Sequence, residues 1–276
     1  MNVADRQKPA PGEIFLDHIA HFVADLDAAA RVLESVGMKA TRTSVQHTPE
    51  GPVGTSNRLV MLEEGYIEML SPTHDTPVAN RVRAQMARYD GVHLVCYGTP
   101  DAESEHRRLV AHGFEPQPLV NLSREAGTIR FKVVRPAPEK MPEGRIQYCE
   151  HLTPEQIWRA DNVNRLRLEE VFVVAKNPAQ TAARWAQFAG LIPTAARDGV
   201  TLETTRGRIF IGKRATIAKI LGSAPAAPAI AGYALACRHP EKLAARCREA
   251  GIKVQKHGKR YSAALPKTLG GAWLFG

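Results

Sequence analysis

Long apolar runs, dense cysteine patterns and clustered charge are all scarce in this sequence. No stretch approaches the roughly 18 consecutive apolar residues that a membrane-spanning helix needs. The first twelve residues are polar and do not resemble a signal peptide. Four cysteines form no CxxC pair, whereas a disulfide-stabilised secreted domain would be denser in cysteine. We therefore expect a cytoplasmic protein with reduced thiols and no membrane partner.

Basic residues outnumber acidic ones, 37 against 28, but they are scattered along the chain. The nearest approach to a basic run lies between Lys253 and Arg260. Proteins that bind nucleic acids concentrate their positive charge and interleave it with aromatic residues, which make up only 6% of this chain. The charge balance thus argues against nucleic acid as the main partner and favours an anionic small molecule, or no partner bound through charge.

Four segments of the chain repeat one order of features. Each has a short apolar strand, a polar turn, an amphipathic helix, and a glycine followed by an apolar residue. Glycine suits this position because it ends a helix in the left-handed conformation without a Cβ clash. The intervals from the first strand to this glycine are 19 or 20 positions long: His18 to Gly37, His93 to Gly113, Glu170 to Gly190, and Gly232 to Gly251. This constancy indicates an internal repeat.

Further strand-like runs follow each helix, so each unit is approximately βαβββ. One such unit cannot close its own sheet, and neighbouring units are expected to pair around a cleft. We predict an α+β fold in which four βαβββ modules pair into two domains. Their predicted bounds are 1–160 and 161–276, in agreement with the usual size of a domain.

Aligning the units shows where polar side chains meet. The first strands place four residues at one equivalent position, namely His18, His93, Glu170 and Gly232. The last strands do the same for Glu68, Gln147, Phe210 and Leu274. Since alternate residues of a strand share a face, equivalent positions of paired units converge on one concave surface.

The first half therefore offers two imidazoles, one carboxylate and one amide oxygen, a set suited to one divalent metal ion. The predicted ligands are His18, Glu68, His93 and Gln147. Imidazole suits Fe, Ni or Zn and the oxygen ligands suit Mn or Mg, so the pattern does not choose the ion. A Glu68–His93 hydrogen-bonded pair without metal is the alternative. The second half lacks such a set and is expected to stabilise or cover the first module, or to contribute to a homodimer.

Two stretches of the first half resemble the vicinal oxygen chelate superfamily. The sequence LDHIAH at residues 16–21, followed by DLDAA at 25–29, is similar to its opening strand and helix. GTSNR at 54–58 and GYIEML at 65–70 are similar to its glyoxalase-like branch. The resemblance covers residues 14–160 well and residues 168–276 only by repeat architecture.

The resemblance implies βαβββ modules paired around a metal cleft, as in glyoxalases, bleomycin resistance proteins and extradiol dioxygenases. It places His18, Glu68 and His93 at the family's ligand positions, whereas Gln147 stands where Glu is most common. Glu150 and His151 lie close by in the sequence and could substitute for it. By simple alternation His151 shares the face of Gln147 and Glu150 does not.

Other polar residues near these strands have both a structural and a functional interpretation. A proton could be moved by Glu68, if it releases the metal, or by Glu150 or His151. His47 is either a loop residue or a substrate contact at the mouth of the cleft. Asn57 and Arg58 fit turn chemistry, and they also fit the binding of an anionic substrate.

We therefore expect a metal-dependent enzyme that acts on a small oxygenated substrate. Isomerase or lyase chemistry at an α-hydroxycarbonyl is preferred to oxygen chemistry, because a site containing Glu and Gln resembles glyoxalases more than dioxygenases. The alternative is a small-molecule binding protein without turnover, of the bleomycin-resistance type.

Overall fold

The computed structural model describes residues 2–276 and contains six α-helices and sixteen β-strands. The helices are α1 (Leu26–Ser35), α2 (Pro77–Met86), α3 (Ala102–Ala111), α4 (Pro178–Ala189), α5 (Arg214–Leu221) and α6 (Pro240–Glu249). The strands of the first half are β1 (Phe15–Phe22), β2 (Ser44–Thr48), β3 (Gly51–Glu64), β4 (Tyr66–Pro72), β5 (Gly91–Gly98), β6 (Val120–Arg124), β7 (Ile129–Val134) and β8 (Arg145–His151). Those of the second half are β9 (Asn164–Val174), β10 (Pro193–Ala196), β11 (Gly199–Glu203), β12 (Arg208–Gly212), β13 (Ala229–Cys237), β14 (Val254–His257), β15 (Arg260–Ala264) and β16 (Ala272–Phe275).

The order strand, helix, three strands occurs four times along the chain, beginning at β1, β5, β9 and β13. In each unit the first and last strands pair in parallel. The first strands of neighbouring units pair antiparallel, β1 with β5 and β9 with β13. Helices α2 and α5 lie between units. The predicted α+β fold class is confirmed.

Local sequence signals explain where the unit helices start and stop. Asp25 and Asp101 precede α1 and α3, and each side chain accepts a hydrogen bond from a backbone N–H of the first turn. Asn177 caps α4 in the same way, and α4 ends at Gly190 with a left-handed φ of 65°. These caps satisfy backbone groups that a helix end would otherwise leave unpaired.

The first eight strands close into a barrel. Their order is β2-β3-β4-β1-β5-β8-β7-β6, and β6 returns to β2 where Ser123 pairs with His47. Strands β9–β16 form an open sheet in the order β10-β11-β12-β9-β13-β16-β15-β14. The barrel thus encloses an interior in the first half, where the sequence predicted the metal ligands.

The two halves pack extensively on each other. Strand β3 pairs with β9, and one large apolar core contains residues of both halves. His21 of β1 lies in this contact, with Nδ1 3.0 Å from the Leu269 carbonyl and Nε2 3.1 Å from the Tyr233 hydroxyl. Both ring nitrogens of His21 therefore have protein partners, as expected of a structural histidine. The division of the chain at residue 160 stays a prediction.

Two further expectations concern thiols and membranes. All four cysteines are free, and three of them are buried. Among the residues that the structure describes, every helix is too short or too polar to cross a bilayer.

Candidate functional site

The barrel interior holds a small polar cavity. Its volume is about 20 Å³, which is enough for one water molecule or ion. The lining side chains come from all eight strands of the barrel and the residue that follows β7: His18, Gln46, Asn57, Tyr66, Glu68, Leu70, Leu94, Leu122, Arg124, Phe131, Val133, Arg135, Arg145, Gln147 and Cys149.

His18 uses its two ring nitrogens differently. Its Nδ1 lies 2.6 Å from Oδ2 of Asp17, and its ring stacks on Tyr66 with centroids 4.2 Å apart. Asp17 reaches His18 although the two are sequence neighbours, because the β1–β5 register shifts between Leu16 and His18. The carboxylate fixes the ring, so that Nε2 is left for the cavity.

Glu68 approaches His18 from the neighbouring strand. The turn before β4 needs Gly65, whose φ is 78° and where a Cβ would lie 2.8 Å from the Asp17 carbonyl oxygen. This tight turn sets β4 beside β1, and Glu68 Oε2 comes to 3.8 Å from His18 Nε2. Its other oxygen accepts a hydrogen bond from Asn57 Nδ2 at 2.6 Å. Both carboxylate and imidazole are buried.

A second cluster shares Asp17. His151 Nε2 lies 3.1 Å from both Asp17 oxygens and 3.7 Å from Cys149 Sγ. Burial disfavours its charged form, but Asp17 and Cys149 outweigh burial and raise the pKa of His151 to about 10. Burial likewise opposes a charged thiol, yet Cys96 and His151 lower the pKa of Cys149 to about 6. These contacts favour the ionised forms of Asp17 and Cys149 and the protonated form of His151.

The strand register corrects one alignment made from the sequence. Across β1 and β5, His18 faces Cys96 and Ala20 faces Leu94. Since β1 and β5 are the first strands of two equivalent units and pair antiparallel, this reciprocal pairing makes Leu94, not His93, the equivalent of His18. The β5–β8 register gives the same shift, because Gln147 pairs with Cys96 as Glu68 pairs with Ala20. The equivalence of Glu68 and Gln147 therefore agrees with the registers, whereas that of His18 and His93 is off by one residue.

His93 accordingly lies away from the other predicted ligands. Its Nε2 donates to the Tyr89 carbonyl at 2.9 Å, and its ring stacks on Phe22 with centroids 5.3 Å apart. Its Nδ1 is buried without a hydrogen-bond partner among residues 2–276. His93 is not among the described residues that line the barrel cavity together with His18 and Glu68. The clusters of potential ligands in the described chain contain His18 but neither Glu68 nor His93.

Gln147 lines the cavity with its amide engaged by the protein. Its Oε1 accepts a hydrogen bond from Arg135 Nε at 2.9 Å, and its Nε2 lies 3.9 Å from Cys96 Sγ. A metal ion would have to displace the arginine to reach this oxygen. Gln147 is thus brought to the cavity, with its acceptor already occupied.

The remaining predicted site residues divide between the cavity and the outer surface. Asn57 lies in the cavity and holds Glu68. Glu150 accepts a hydrogen bond from the Ala102 N–H at the start of α3. Arg58 points outward and pairs with Asp27 at 3.0 Å and Glu34 at 2.8 Å, which ties α1 to β3. His47 contacts the Val45 carbonyl and does not line the cavity.

Sequence reasoning missed several polar residues that line the cavity: Gln46, Tyr66, Arg124, Arg135, Arg145 and Cys149. It also missed Asp17 and Cys96, which contact the lining residues His18 and Gln147. Some of these residues could have been predicted from the alternation of side chains along a strand. Residues 145, 147, 149 and 151 share one face of β8, so Gln147 predicts that Arg145 and Cys149 point inward too. Alternation could not have found Asp17. Strict alternation along β1 predicts that Asp17 and His18 point to opposite faces, whereas the register shift in the structure turns Asp17 toward His18.

Some of the donor atoms around His18 have the spacing of ligands to a divalent ion. Ligand atoms about 2.1 Å from an ion lie roughly 3 to 4 Å apart, and His18 Nε2 and Glu68 Oε2 have this separation. The ligand atoms of Asp17, His18 and Cys96 also lie within 4.8 Å of one another. An orienting carboxylate on the far nitrogen of a histidine is common at metal sites. Leu94 and Gln147 fit less well than a second histidine and glutamate would.

Comparison with known proteins places this geometry in a family. The model of the glyoxalase-like domain matches residues 16–189. A search of curated proteins finds no match. Among solved structures, a hypothetical protein from Staphylococcus aureus is 14% identical with a TM-score of 0.71, and the match covers 95% of this chain and 98% of that one.

Two structurally similar enzymes have named activities. The Mn(II)-bound glyoxalase from Novosphingobium aromaticivorans is 11% identical with a TM-score of 0.57, over 95% of this chain and 81% of that one. A mutant of 4-hydroxymandelate synthase from Streptomyces coelicolor is 15% identical with a TM-score of 0.58, over 95% and 92%. These low identities show the fold alone. The family match covers more than half of the chain, and so the protein belongs to the glyoxalase-like domain family of the vicinal oxygen chelate superfamily.

Proposed function

We propose that this protein is a metal-dependent enzyme that acts on a small oxygenated substrate in the first barrel. The observation that carries the proposal is the buried pair of His18 Nε2 and Glu68 Oε2, 3.8 Å apart at the cavity. That distance is too long for a hydrogen bond and suits two ligands of one ion. An imidazole among the ligands favours Zn, Fe or Ni over Mg.

A divalent ion at His18 and Glu68 would act as a Lewis acid on a carbonyl or enolate oxygen. Asp17 holds the His18 ring through Nδ1, and Asn57 holds one oxygen of Glu68. Glu68 lies at the cavity, and we expect its Oε2 to take a proton from the substrate when this oxygen is not bound to the ion. His151 stands behind Asp17 and keeps that carboxylate ionised, because the imidazolium lowers the pKa of Asp17.

The chemistry that we favour is isomerisation or elimination at an α-hydroxycarbonyl. A carboxylate base inside a closed barrel can move a proton between adjacent carbon atoms while water is largely excluded. In D2O, such an enzyme would exchange the α-proton of α-hydroxycarbonyl compounds for deuterium, as followed by proton NMR. Loss of exchange in a Glu68→Gln variant that retains metal would support this role, whereas oxygen uptake without exchange would instead indicate a dioxygenase.

Metal analysis tests the site itself. Purified wild-type protein should contain about one equivalent of a transition metal, and His18→Ala should lose it. His93→Ala is the matched control, since both variants remove one buried imidazole but only His18 faces Glu68. Equal metal loss in the two variants would overturn the proposed site.

One observation favours the second candidate, a binding protein without turnover. Leu94 and Gln147 occupy two of the four positions where ligands are expected, as the registers of β5 with β1 and β8 show. Wild-type protein without metal, even after reconstitution with Zn, Mn, Fe and Ni in turn, would support this alternative and contradict the enzyme.

A further inference from the structure

A second cavity opens beside the barrel, between α2, the segment after β7 and the start of β8. Its volume is about 210 Å³, below the roughly 300–1,000 Å³ of sites for drug-sized ligands, so it suits a small molecule. Three arginines line it: Arg81 of α2, Arg135 after β7, and Arg145 at the start of β8. From these arginines and their position, we propose that the cavity binds the carboxylate or phosphate group of an anionic substrate.

The three guanidinium groups have no acidic partner. Asp and Glu are absent from the cavity lining, and the ion pairs among residues 2–276 include none of these arginines. Half-buried arginines elsewhere do have carboxylates: Arg208 binds Glu170, and Arg184 binds Glu143. The Nε–H of Arg135 donates to Gln147, while its terminal nitrogens have no acceptor among residues 2–276. The cavity therefore concentrates positive charge that the protein leaves unbalanced.

Burial and mutual repulsion destabilise the charged forms of two of these arginines. Burial lowers the pKa of Arg145 to about 9, and the charges of Arg135 and Arg81 lower it further in the same direction. Burial and Arg81 lower the pKa of Arg135 to about 10. Glu68 acts in the opposite direction on both but does not cancel these effects. A bound anion would relieve this repulsion and accept hydrogen bonds from the free nitrogens.

The cavity also adjoins the proposed reaction centre. Arg135 and Arg145 line both the 210 Å³ cavity and the barrel cavity that contains His18 and Glu68. An anion bound by these arginines in the larger cavity would therefore lie next to the barrel cavity. The rest of the lining is largely apolar, with Val78, Ala84, Pro136, Pro138, Met141 and Ile146. The substrate class that fits is a short oxygenated carboxylate or phosphate ester.

This inference deepens the proposed function but does not depend on metal, and its test is therefore binding. Malonate and inorganic phosphate serve as probes in isothermal titration calorimetry on the full-length protein at constant ionic strength. We expect binding to wild-type protein to be at least tenfold tighter than to Arg135→Gln Arg145→Gln. The two probes distinguish a carboxylate site from a phosphate site by their relative affinity.

Two controls separate a specific site from general charge. Arg130→Gln removes one exposed arginine of β7 that forms no ion pair, and binding should be unchanged. Arg145→Lys keeps the charge and should retain more affinity than Arg145→Gln, and it serves if the double variant fails to fold. If neither probe binds, or if the double variant binds as tightly as Arg130→Gln, the proposal is wrong.

Failure of the metal site can be told from failure of the anion site. His18→Ala should lose metal yet bind malonate or phosphate as the wild type does, because the arginines remain. Loss of anion binding in that variant, with Arg135 and Arg145 intact, would contradict the inference. If the wild-type protein binds malonate or phosphate but never contains metal, the anion site is supported and the proposed metal-dependent enzyme is contradicted.

Discussion

At the scale of single residues, the site depends on what holds each polar atom in place. Glu68 is buried, and a buried carboxylate needs hydrogen bonds or a cation to offset the loss of water. Asn57 provides one such bond at 2.6 Å, and Gln46 Nε2 lies 3.5 Å from the same oxygen. The amide of Asn57 therefore sets the orientation of the carboxylate that faces His18.

Asn57→Ala tests this orientation. We expect metal affinity to fall by about tenfold to a hundredfold, the usual effect of removing a residue that positions a ligand. Competition with a chromogenic chelator would measure it, and metal affinity equal to the wild type would contradict the role.

For the neighbouring residue, Arg58, we expect an effect on stability and none on metal affinity. Arg58 binds Asp27 and Glu34 on the outer face, and both carboxylates are substantially exposed. Arg58→Ala should therefore lower the free energy of unfolding by roughly 1 kcal/mol and leave metal affinity unchanged. Denaturant titration measures the first effect, and the chelator assay measures the second.

The contrast between these neighbours shows what the sequence can and cannot predict at this scale. The resemblance to the glyoxalase-like branch and alternation along the last strand both pointed to Glu68, which the structure places in the cavity. Leu94 lies 19 positions before Gly113, the same interval as from His18 to Gly37, whereas His93 lies 20 positions before it. The intervals therefore already indicated that His93 was misaligned by one residue. Asp17 escaped notice because the irregularity between Leu16 and His18 turns it toward the site.

At the scale of elements, β1 serves both halves of the molecule. Its His18 faces the barrel interior, while His21 meets Tyr233 of β13 in the contact between the halves. The Tyr233 hydroxyl also accepts a hydrogen bond from the indole N–H of Trp273 in β16. One buried hydroxyl thus connects three strands. The unit order could be predicted from repeated spacing, whereas this contact could not, because no local pattern encodes which faces of two sheets meet.

Tyr233→Phe tests the hydroxyl without changing the size of the ring. It leaves His21 Nε2 and the Trp273 indole N–H without their partner, and should cost about 1–3 kcal/mol of unfolding free energy. Tyr261→Phe is the matched control, because its hydroxyl makes no hydrogen bond within residues 2–276 and its ring is also largely buried. Equal stability of the two variants in denaturant would show that the contact contributes nothing.

At the scale of the whole molecule, buried histidines set the dependence of stability on pH. Burial lowers the pKa of His21 to about 3 and that of His93 to about 4, against 6.5 in an unfolded chain. Below pH 6.5 the unfolded chain binds protons that the folded one refuses, so stability falls on acidification, by up to about 1.4 kcal/mol per pH unit for each group.

His151 has the opposite effect above neutrality. Its pKa is raised to about 10 when folded, so its contribution is complete below pH 6.5 and is lost as the pH rises toward 10. Cys149, whose pKa is lowered to about 6, acts in the opposite direction over the same range. Denaturant unfolding of metal-free protein should therefore show little change in stability between pH 7 and 9 and a loss of stability from pH 6.5 to pH 4. A flat profile from pH 7 to pH 4.5 would contradict the assignment of His21 and His93 as buried neutral groups.

The last prediction concerns the division of the chain. A fragment of residues 1–160 would expose Tyr97 and Tyr148, whose rings pack against Phe188 of α4. It would also leave the buried carboxylate of Glu143 without Arg184. The family match likewise continues past residue 160 to the end of α4. We therefore expect this fragment to aggregate or to unfold without cooperativity.

Co-expression with residues 161–276 should restore a folded complex, since the missing partners return without the covalent link. Circular dichroism during heating, together with metal analysis of the fragment and of the complex, measures both effects. If residues 1–160 alone unfold cooperatively and retain metal as the full chain does, the second half is dispensable to the site. The core that both halves share would then contribute little to the stability of the barrel, and the role of scaffold assigned to the second half would be wrong.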